Sequence, residues 1–182
     1  MRPIYKSYPI YAPGHEPAGY MDWLKEQEPV VVWDGHDHRP PLPSAEDWIK
    51  SGEIVFDSPI SYNNLSTVAE VRDPIWYEKT GTPVAKDGTM QLARYVIRKK
   101  GVIDVGEVSC ASCHTRLMPD GSILKGAQSN LSAPHTLGYR IRADLAKGDT
   151  RALEGIRANA KGFYAVPWLH PDPAGGAGAD GV

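Results

Sequence analysis

The chain has 182 residues, a mass of 19.9 kDa and a net charge of -2, from 20 Lys and Arg against 22 Asp and Glu. This near-neutral balance excludes a general electrostatic surface for nucleic acid or for an anionic membrane. No apolar run approaches the roughly 20 residues that cross a bilayer, so no membrane span is expected. The 18 glycines and 16 prolines exclude a heptad protein and an ideal helical bundle, and they predict many turns and loops.

Residues 1–44 are predicted to form an arm rich in Tyr and Pro that contains one short helix. Residues 17–27 carry that helix, because proline suits a first turn and the apolar side chains recur at helical spacing. Residues 30–33 are predicted to form a short strand. The loop that follows holds His36 and His38. They are a candidate metal site or, as in most such loops, part of a solvated turn.

Residues 45–173 are predicted to form the main domain, which begins with a helix. Ser44 is a good N-cap, and the helix is expected to run from Ala45 to about Phe56. Its apolar residues recur at helical spacing and are expected to face inward. These residues are Trp48, Ile49, and Ile54 or Val55.

The rest of the domain is predicted to combine two small β-hairpins with two helices. Residues 93–105 and 116–125 each hold two strand-like runs around a turn, which is a hairpin signal. Apolar residues at a spacing of four predict a helix over 136–147, and a second helix is expected after Asp149. The Gly- and Ala-rich tail 174–182 is predicted to be disordered.

The two cysteines of the chain, Cys110 and Cys113, are separated by two residues and followed directly by His114. Cys-x-x-Cys-His is the attachment signature of c-type haem. The spacer lets one helical turn present both thiols to the two vinyl groups on one edge of a porphyrin. The adjacent imidazole then becomes the proximal iron ligand. The motif predicts one covalently attached haem c per chain.

Three other interpretations of the motif remain. A redox disulfide of the thioredoxin type would need a strand before the helix in a βαβ pattern, which the flanking sequence lacks. A zinc site would need a fourth ligand, such as another histidine. The third interpretation is a chance occurrence in a structural setting.

Residues 106–114 resemble a c-type cytochrome haem site. Residues 51–56 are similar to the first helix of many cytochrome c domains, in which a glycine lets two helices cross closely. Residues 48–128 resemble, more loosely, the first haem module of larger bacterial di-haem cytochromes of the peroxidase and oxygenase kind. Those proteins carry a second Cys-x-x-Cys-His, which this chain lacks. The resemblance implies a mainly α, cytochrome c-like, loop-rich fold with small β-hairpins flanking the haem helix.

The sixth iron ligand is undecided by the sequence. Met90, His135 and His170 are the distal candidates, the first upstream of the motif and the others downstream. Met118 is too close to His114 to reach the other face of a porphyrin and is expected to pack in the second hairpin. The remaining alternative is an iron that is open, water-bound or ligated by sequence outside this chain.

Haem propionates need cationic partners, and arginine binds carboxylates through two parallel hydrogen bonds. The candidates near the motif or in the later helices are Arg94, Arg98, Arg116, Lys125, Arg140 and Arg142. Aromatic residues that would wall the haem, or belong to an ordinary core, are Trp48, Trp76, Tyr95 and Trp168.

The sequence therefore predicts electron transfer through one haem c, with an unidentified redox protein as partner. The alternative is the N-terminal haem module or a fragment of a di-haem peroxidase or oxygenase with an open iron. We expect an electron-transfer protein rather than a complete enzyme, and a non-haem Pro-rich binding module is a third hypothesis. Haem c implies a periplasmic or other extracytoplasmic location in a bacterium. The chain shows no signal peptide, so we expect it to be a fragment of a longer product.

Overall fold

The computed structural model describes most of the chain, and its residues form two units, Met1–Ser132 and Ala133–Val182. The described residues are 3–33, 44–131, 133–151, 153–154, 169–171 and 177–179. Within them, no helix is long and apolar enough to cross a membrane.

The first unit contains eight strands, four α-helices and one 3-10 turn among its described residues. In chain order they are β1 (Ile4–Tyr5), β2 (Ser7–Tyr11), α1 (Tyr20–Glu26), β3 (Val31–Trp33), α2 (Ala45–Asp57), β4 (Ser61–Tyr62), the 3-10 turn (Glu70–Arg72), α3 (Pro74–Thr80), β5 (Thr89–Lys99), β6 (Val102–Glu107), α4 (Cys110–His114), β7 (Thr115–Leu117) and β8 (Ile123–Lys125).

A four-stranded antiparallel sheet with the order β2-β5-β6-β4 forms the centre of this unit. The 11-residue β5 is mostly buried, because it is covered on both sides of the sheet. β5 turns directly into β6 at Gly101, whose φ of 79° lies in the left-handed region that favours glycine. Two smaller antiparallel pairs, β1 with β3 and β7 with β8, complete the strands of the unit.

The predicted mainly α fold is wrong. In the part of the chain that the structure describes, the fold is mixed α/β, with five helices, the four-stranded sheet, additional hairpins and 26% strand. The first hairpin was expected to be small, but its first strand begins at Thr89 rather than at Ala93 and runs to Lys99. Strands β2 and β4 then pair with its outer edges over long sequence separations, which local patterns do not reveal.

The core of the first unit lies on this sheet and under α1 and α3. Its largest fully buried side chains include Trp76, Tyr95, Ile10 and Leu24. Two of the four come from residues 1–44, so the predicted arm supplies both an outer strand of the sheet and core side chains.

Helix α2 has the predicted bounds, but its predicted inward face is wrong. None of its residues is buried, and Trp48 and Ile49 are 58% and 64% exposed. A Cβ added at Gly52 would meet no atom within 4 Å, so within the described residues no helix crosses there. The spacing of the apolar residues correctly predicted an amphipathic helix. It does not predict whether the apolar side of that helix packs against the rest of the chain.

Several local predictions are confirmed. The helix and strand expected at 17–27 and 30–33 are α1 and β3, and the second hairpin is the β7–β8 pair.

The second unit contains α5 (Ala133–Leu145) and an antiparallel pair of strands, β9 (Leu169–Pro171) and β10 (Ala177–Ala179). The helix predicted over 136–147 is thereby confirmed in part, and β10 lies inside the tail that was predicted to be disordered. His36 and His38, and Trp168, lie outside the described residues, as does most of the helix expected after Asp149.

Candidate functional site

The Cys-x-x-Cys-His motif forms α4, a single helical turn whose start is capped by its own sequence. The Ser109 side chain accepts a hydrogen bond from the Ser112 amide at 3.2 Å, and the Ser112 hydroxyl accepts one from the Ser109 amide at 3.0 Å. This reciprocal capping box holds a helix too short to be stable alone. Ser112, one of the two spacer residues of the motif, is therefore part of the structure that forms the turn.

The same turn is oriented by its other spacer residue. Ala111 is buried, and α4 contacts β5. Cys110, Cys113 and His114 are consequently on the exposed side, and both thiols are free. The predicted attachment residues are brought together on one exposed face.

These three residues line a groove of about 690 Å³. This volume is within the range of roughly 300–1,000 Å³ that is usual for cofactor sites. The walls are largely apolar and come from β1, the end of α2 and the segment between α2 and β4. The lining residues are Pro3, Ile4, Tyr5, Val55, Ser58, Pro59, Ile60, Tyr62, Arg98, Val108, Ser109, Cys110, Cys113 and His114.

The position of Pro59 in this groove depends on the glycine behind it. A Cβ at Gly106 would lie 2.4 Å from Pro59 Cγ and 2.8 Å from Val96 Cγ2. Since carbon atoms pack at about 3.5–4.0 Å, no side chain fits there. The next residue of the groove, Ile60, donates its amide to the carbonyl groups of Glu107 and Val108 at 3.2 and 3.0 Å. Gly106 thus lets the segment before β4 lie flat on β6.

Val108 joins β6 to the motif in an unusual backbone conformation. Its φ is 57°, which is a rare value for a β-branched residue. Such a conformation costs about 1–3 kcal/mol and persists only where the surroundings impose it. It turns the chain from the sheet into α4, and the Val108 side chain lines the groove while it is 44% exposed.

Arg98 is the one predicted propionate partner that lines this groove, as far as the structure describes the chain. Its Nε donates to Asp104 Oδ2 at 2.7 Å, and its guanidinium lies 4.1 Å from the centroid of the Tyr62 ring. Asp104 is 6% exposed, and its Oδ1 accepts a hydrogen bond from Asn63 Nδ2 at 2.7 Å. The hydrogen bond to Asp104 raises the pKa of Arg98, so this cation keeps its charge at any working pH.

The other predicted cationic partners lie elsewhere. Arg94 donates from Nε to Ser7 Oγ at 2.8 Å and lines a neighbouring cavity of about 520 Å³. Lys125 pairs with Asp57 at 2.7 Å, and Arg116 is exposed on β7. Arg140 and Arg142 belong to α5 of the second unit, where Arg140 pairs with Asp144.

Of the aromatic residues predicted as a haem wall, Trp76 and Tyr95 are fully buried in the core and do not line the groove. Trp48 is exposed on α2.

Met90, the upstream distal candidate, lies inside the sheet. It is 2% exposed, and its Sδ accepts a hydrogen bond from the Ala93 amide at 3.3 Å. It does not line the groove. His135 and His170 lie in the second unit, in α5 and β9. Met118 lies in the turn between β7 and β8, where its amide bonds to the Ser122 carbonyl group.

Within the described residues, no group of three or more His, Cys, Asp or Glu side chains is arranged to hold a metal ion. The zinc interpretation of the motif therefore has no preformed ligand set there. The thioredoxin interpretation also lacks its context, since α4 connects an antiparallel sheet to a hairpin.

Sequence reasoning missed Tyr62, Asp104, Val108 and Pro59. One partial signal was available for Asp104, which has the opposite charge to Arg98 and lies on the partner strand of the same hairpin. The turn at Gly101 pairs Lys99 with Val102, but an irregularity between Val96 and Lys99 shifts the register so that Val96 pairs with Asp104. No local signal places Pro59 against Gly106, because that contact joins two distant segments.

Comparison of this chain with models of protein families, with curated proteins and with solved structures gives no match. The chemistry of the groove is therefore the basis for assigning a function.

Proposed function

We propose that this chain carries one covalently attached haem of the c type in the groove and that it functions in electron transfer. One observation carries the proposal: the free thiols of Cys110 and Cys113 and the imidazole of His114 line the same apolar groove from one helical turn.

The residues of the groove fit such a group chemically. The two exposed thiols are three residues apart on one helical turn, a spacing that suits the two vinyl groups on one edge of a porphyrin. Each thiol would add across one vinyl group, with the new C–S bond and the transferred thiol hydrogen both on the former vinyl carbons, so that nothing is oxidised or released. Val55, Ile60 and Val108 offer apolar contacts to the faces of the ring.

When bound, a haem supplies a one-electron ferric/ferrous couple. His114 would be an iron ligand, and the capping box of α4 would hold this histidine and the two sulfurs on one turn. The open groove keeps one edge of the site accessible to a redox partner protein, which we propose as the reaction partner. Attachment chemistry of this type implies a periplasmic or other extracytoplasmic location in a bacterium.

A second candidate is supported by the lining of the groove. Among the described residues that line it, His114 is the only histidine, and there is no methionine. This favours the alternative in which the chain is a module of a di-haem peroxidase or oxygenase with an iron open to a small ligand.

The test is expression of the full chain in a bacterial periplasm together with a haem-attachment system. We expect the wild-type chain to gain the mass of one haem that survives denaturation, and the C110A/C113A variant to gain none. H114A should lose the wild-type Soret and visible bands, whereas H135A, an exposed histidine of the second unit, should keep covalent attachment. A colourless wild-type chain, in cells that mature a control cytochrome c, would refute the proposal.

Carbon monoxide separates the two candidates. A low-spin reduced spectrum that carbon monoxide leaves unchanged supports electron transfer with both axial positions filled. A high-spin spectrum that shifts with carbon monoxide supports the open-iron module instead.

A further inference from the structure

We infer that Arg98 is a carboxylate-binding residue of the groove and that its ligand is a propionate of the haem proposed above. The inference rests on the proposed function and goes beyond it, because it assigns the second edge of the ligand to a particular side chain. The juxtaposition that carries it is a fixed guanidinium and the three attachment residues in one groove.

The guanidinium is held before any ligand arrives. Asp104 binds it through Nε at 2.7 Å, and Asp104 is itself buried and fixed by Asn63. Asn63 also accepts a hydrogen bond from the Val105 amide through Oδ1 at 2.8 Å, so its side chain is tied to β6 at both ends. These hydrogen bonds fix the Arg98 side chain, so that little conformational entropy remains to be lost when a ligand binds.

The way Arg98 is held leaves the right donors for a carboxylate. In the described part of the chain, Arg98 donates its Nε hydrogen to Asp104. The two Nη atoms are then the donors available to a planar acceptor in the groove, and a carboxylate matches that pair. Tyr62 lies against the guanidinium at 4.1 Å and restricts its plane.

The geometry of the ligand agrees with this position. Propionates leave a porphyrin from the edge opposite the vinyl groups, and Cys110 and Cys113 mark the vinyl edge. Arg98 lies near the end of β5, on another element that lines the same groove. The groove therefore offers thiols to one edge of the ring and a cation to another part of its perimeter. Arg94 on the same strand lines the neighbouring cavity, and Arg116 does not line the groove.

The test compares haem-loaded wild-type chain with R98Q, R98K and the matched control R116Q. Haem attachment itself is expected in all four, because the cysteines and His114 are unchanged. The midpoint potential of R98Q should fall by roughly 59 mV, which is a tenfold change in the ratio of oxidised to reduced haem. The reason is that an uncompensated carboxylate stabilises the ferric form. R98K should fall by less, and R116Q should match the wild type.

The pH profile adds a second readout. The titratable groups around Arg98 are Asp104, Tyr62 and Tyr5. His114 lines the same groove and is the proposed iron ligand of the loaded chain. In R98Q, Asp104 also loses its cationic partner, so the pH profile is measured in both R98Q and R98Q/D104N. A new titration that persists in R98Q/D104N belongs to the propionate released from Arg98. We expect the R98Q potential to rise as the pH falls through the range in which that carboxylate takes up a proton. A loaded R98Q with the potential and pH profile of R116Q would overturn the inference.

A measurement on the wild type keeps the inference testable if R98Q fails to fold. Proton NMR of the propionate methylene groups should show one propionate that stays ionised to a lower pH than the other. Two propionates with the titration of free haem would overturn the inference. Arg98-dependent binding of octanoate to the loaded chain would also overturn it, since it would assign the guanidinium to a separate carboxylate. A wild-type chain without haem would instead remove the proposed function itself.

Discussion

The G106A substitution should destabilise the first unit and disturb the groove at the same time. The added Cβ would lie 2.4 and 2.9 Å from the ring carbons of Pro59 and 2.8 Å from Val96 Cγ2. The two nearest contacts are thus roughly 1 Å shorter than normal carbon packing. Neither neighbour ends in a flexible chain, because Pro59 is a ring and Val96 is fully buried.

The expected cost follows from the behaviour of overpacked interiors. Inserting a group into a well-packed site costs about 1–3 kcal/mol, and the rigid neighbours place G106A toward the upper end, about 2–3 kcal/mol. For a urea slope of about 1–3 kcal/mol per M, the unfolding midpoint would fall by roughly 1 M. The assay is urea unfolding of the haem-free chain, followed by circular dichroism.

G52A is the matched control. Gly52 lies in α2, and a Cβ there meets no atom within 4 Å. Alanine should therefore stabilise that helix by about 0.5–1 kcal/mol, through lower backbone entropy in the unfolded chain. If G106A proves as stable as the wild type, or more stable than G52A, the close approach of Pro59 to β6 is refuted.

Three further predictions concern the cap of α4 and the buried groups of the first unit. S109A removes the N-cap of α4 and should cost about 1 kcal/mol, measured by urea unfolding; an unchanged midpoint would contradict the capping box. The buried carboxylate of Glu107 accepts four hydrogen bonds, from the amides of residues 64–66 and from the Ser66 hydroxyl. E107Q should therefore lower the free energy of unfolding by roughly 3 kcal/mol in the same assay, and a loss below about 1 kcal/mol would contradict that role. Burial raises the pKa of Tyr20, Tyr77 and Tyr95 above the ordinary 10.0, so stability should be fully present below pH 10 and fall as the pH rises beyond it. Phenolate absorbance tests this: these three of the nine tyrosines should ionise only on unfolding, and nine tyrosines titrating together in folded protein would contradict it.

The parts of this molecule that depend on near neighbours in sequence were predictable. The capping serine of α2, the turn at Gly101 and the Cys-x-x-Cys-His turn each act over a few residues. Patterns of that range identified both hairpins and several helices. The fold class was wrong because the resemblance to cytochrome c domains outweighed the β-branched and aromatic residues of β5.

The long-range contacts were not predictable from local patterns. Ser7 pairs with Val96, and Ser61 pairs with Glu107, across separations that no short motif encodes. The groove depends on such contacts, since Pro59 and Tyr62 reach it only after β4 joins β6. The motif thus identified the candidate site residues Cys110, Cys113 and His114, whereas the groove around them is known only from the folded chain.

The pairing of β2 with β5 sets a lower limit on how far the chain can be shortened. A version that begins at residue 45 keeps the whole Cys-x-x-Cys-His motif. It would lose Tyr8 and Ile10, which are opposite Tyr95 and Met90, and leave the amide edge of β5 open. An open edge on a long apolar strand recruits other copies of the same strand. Such a version should therefore aggregate. A shortened chain used to study α4 needs to keep the N-terminal residues.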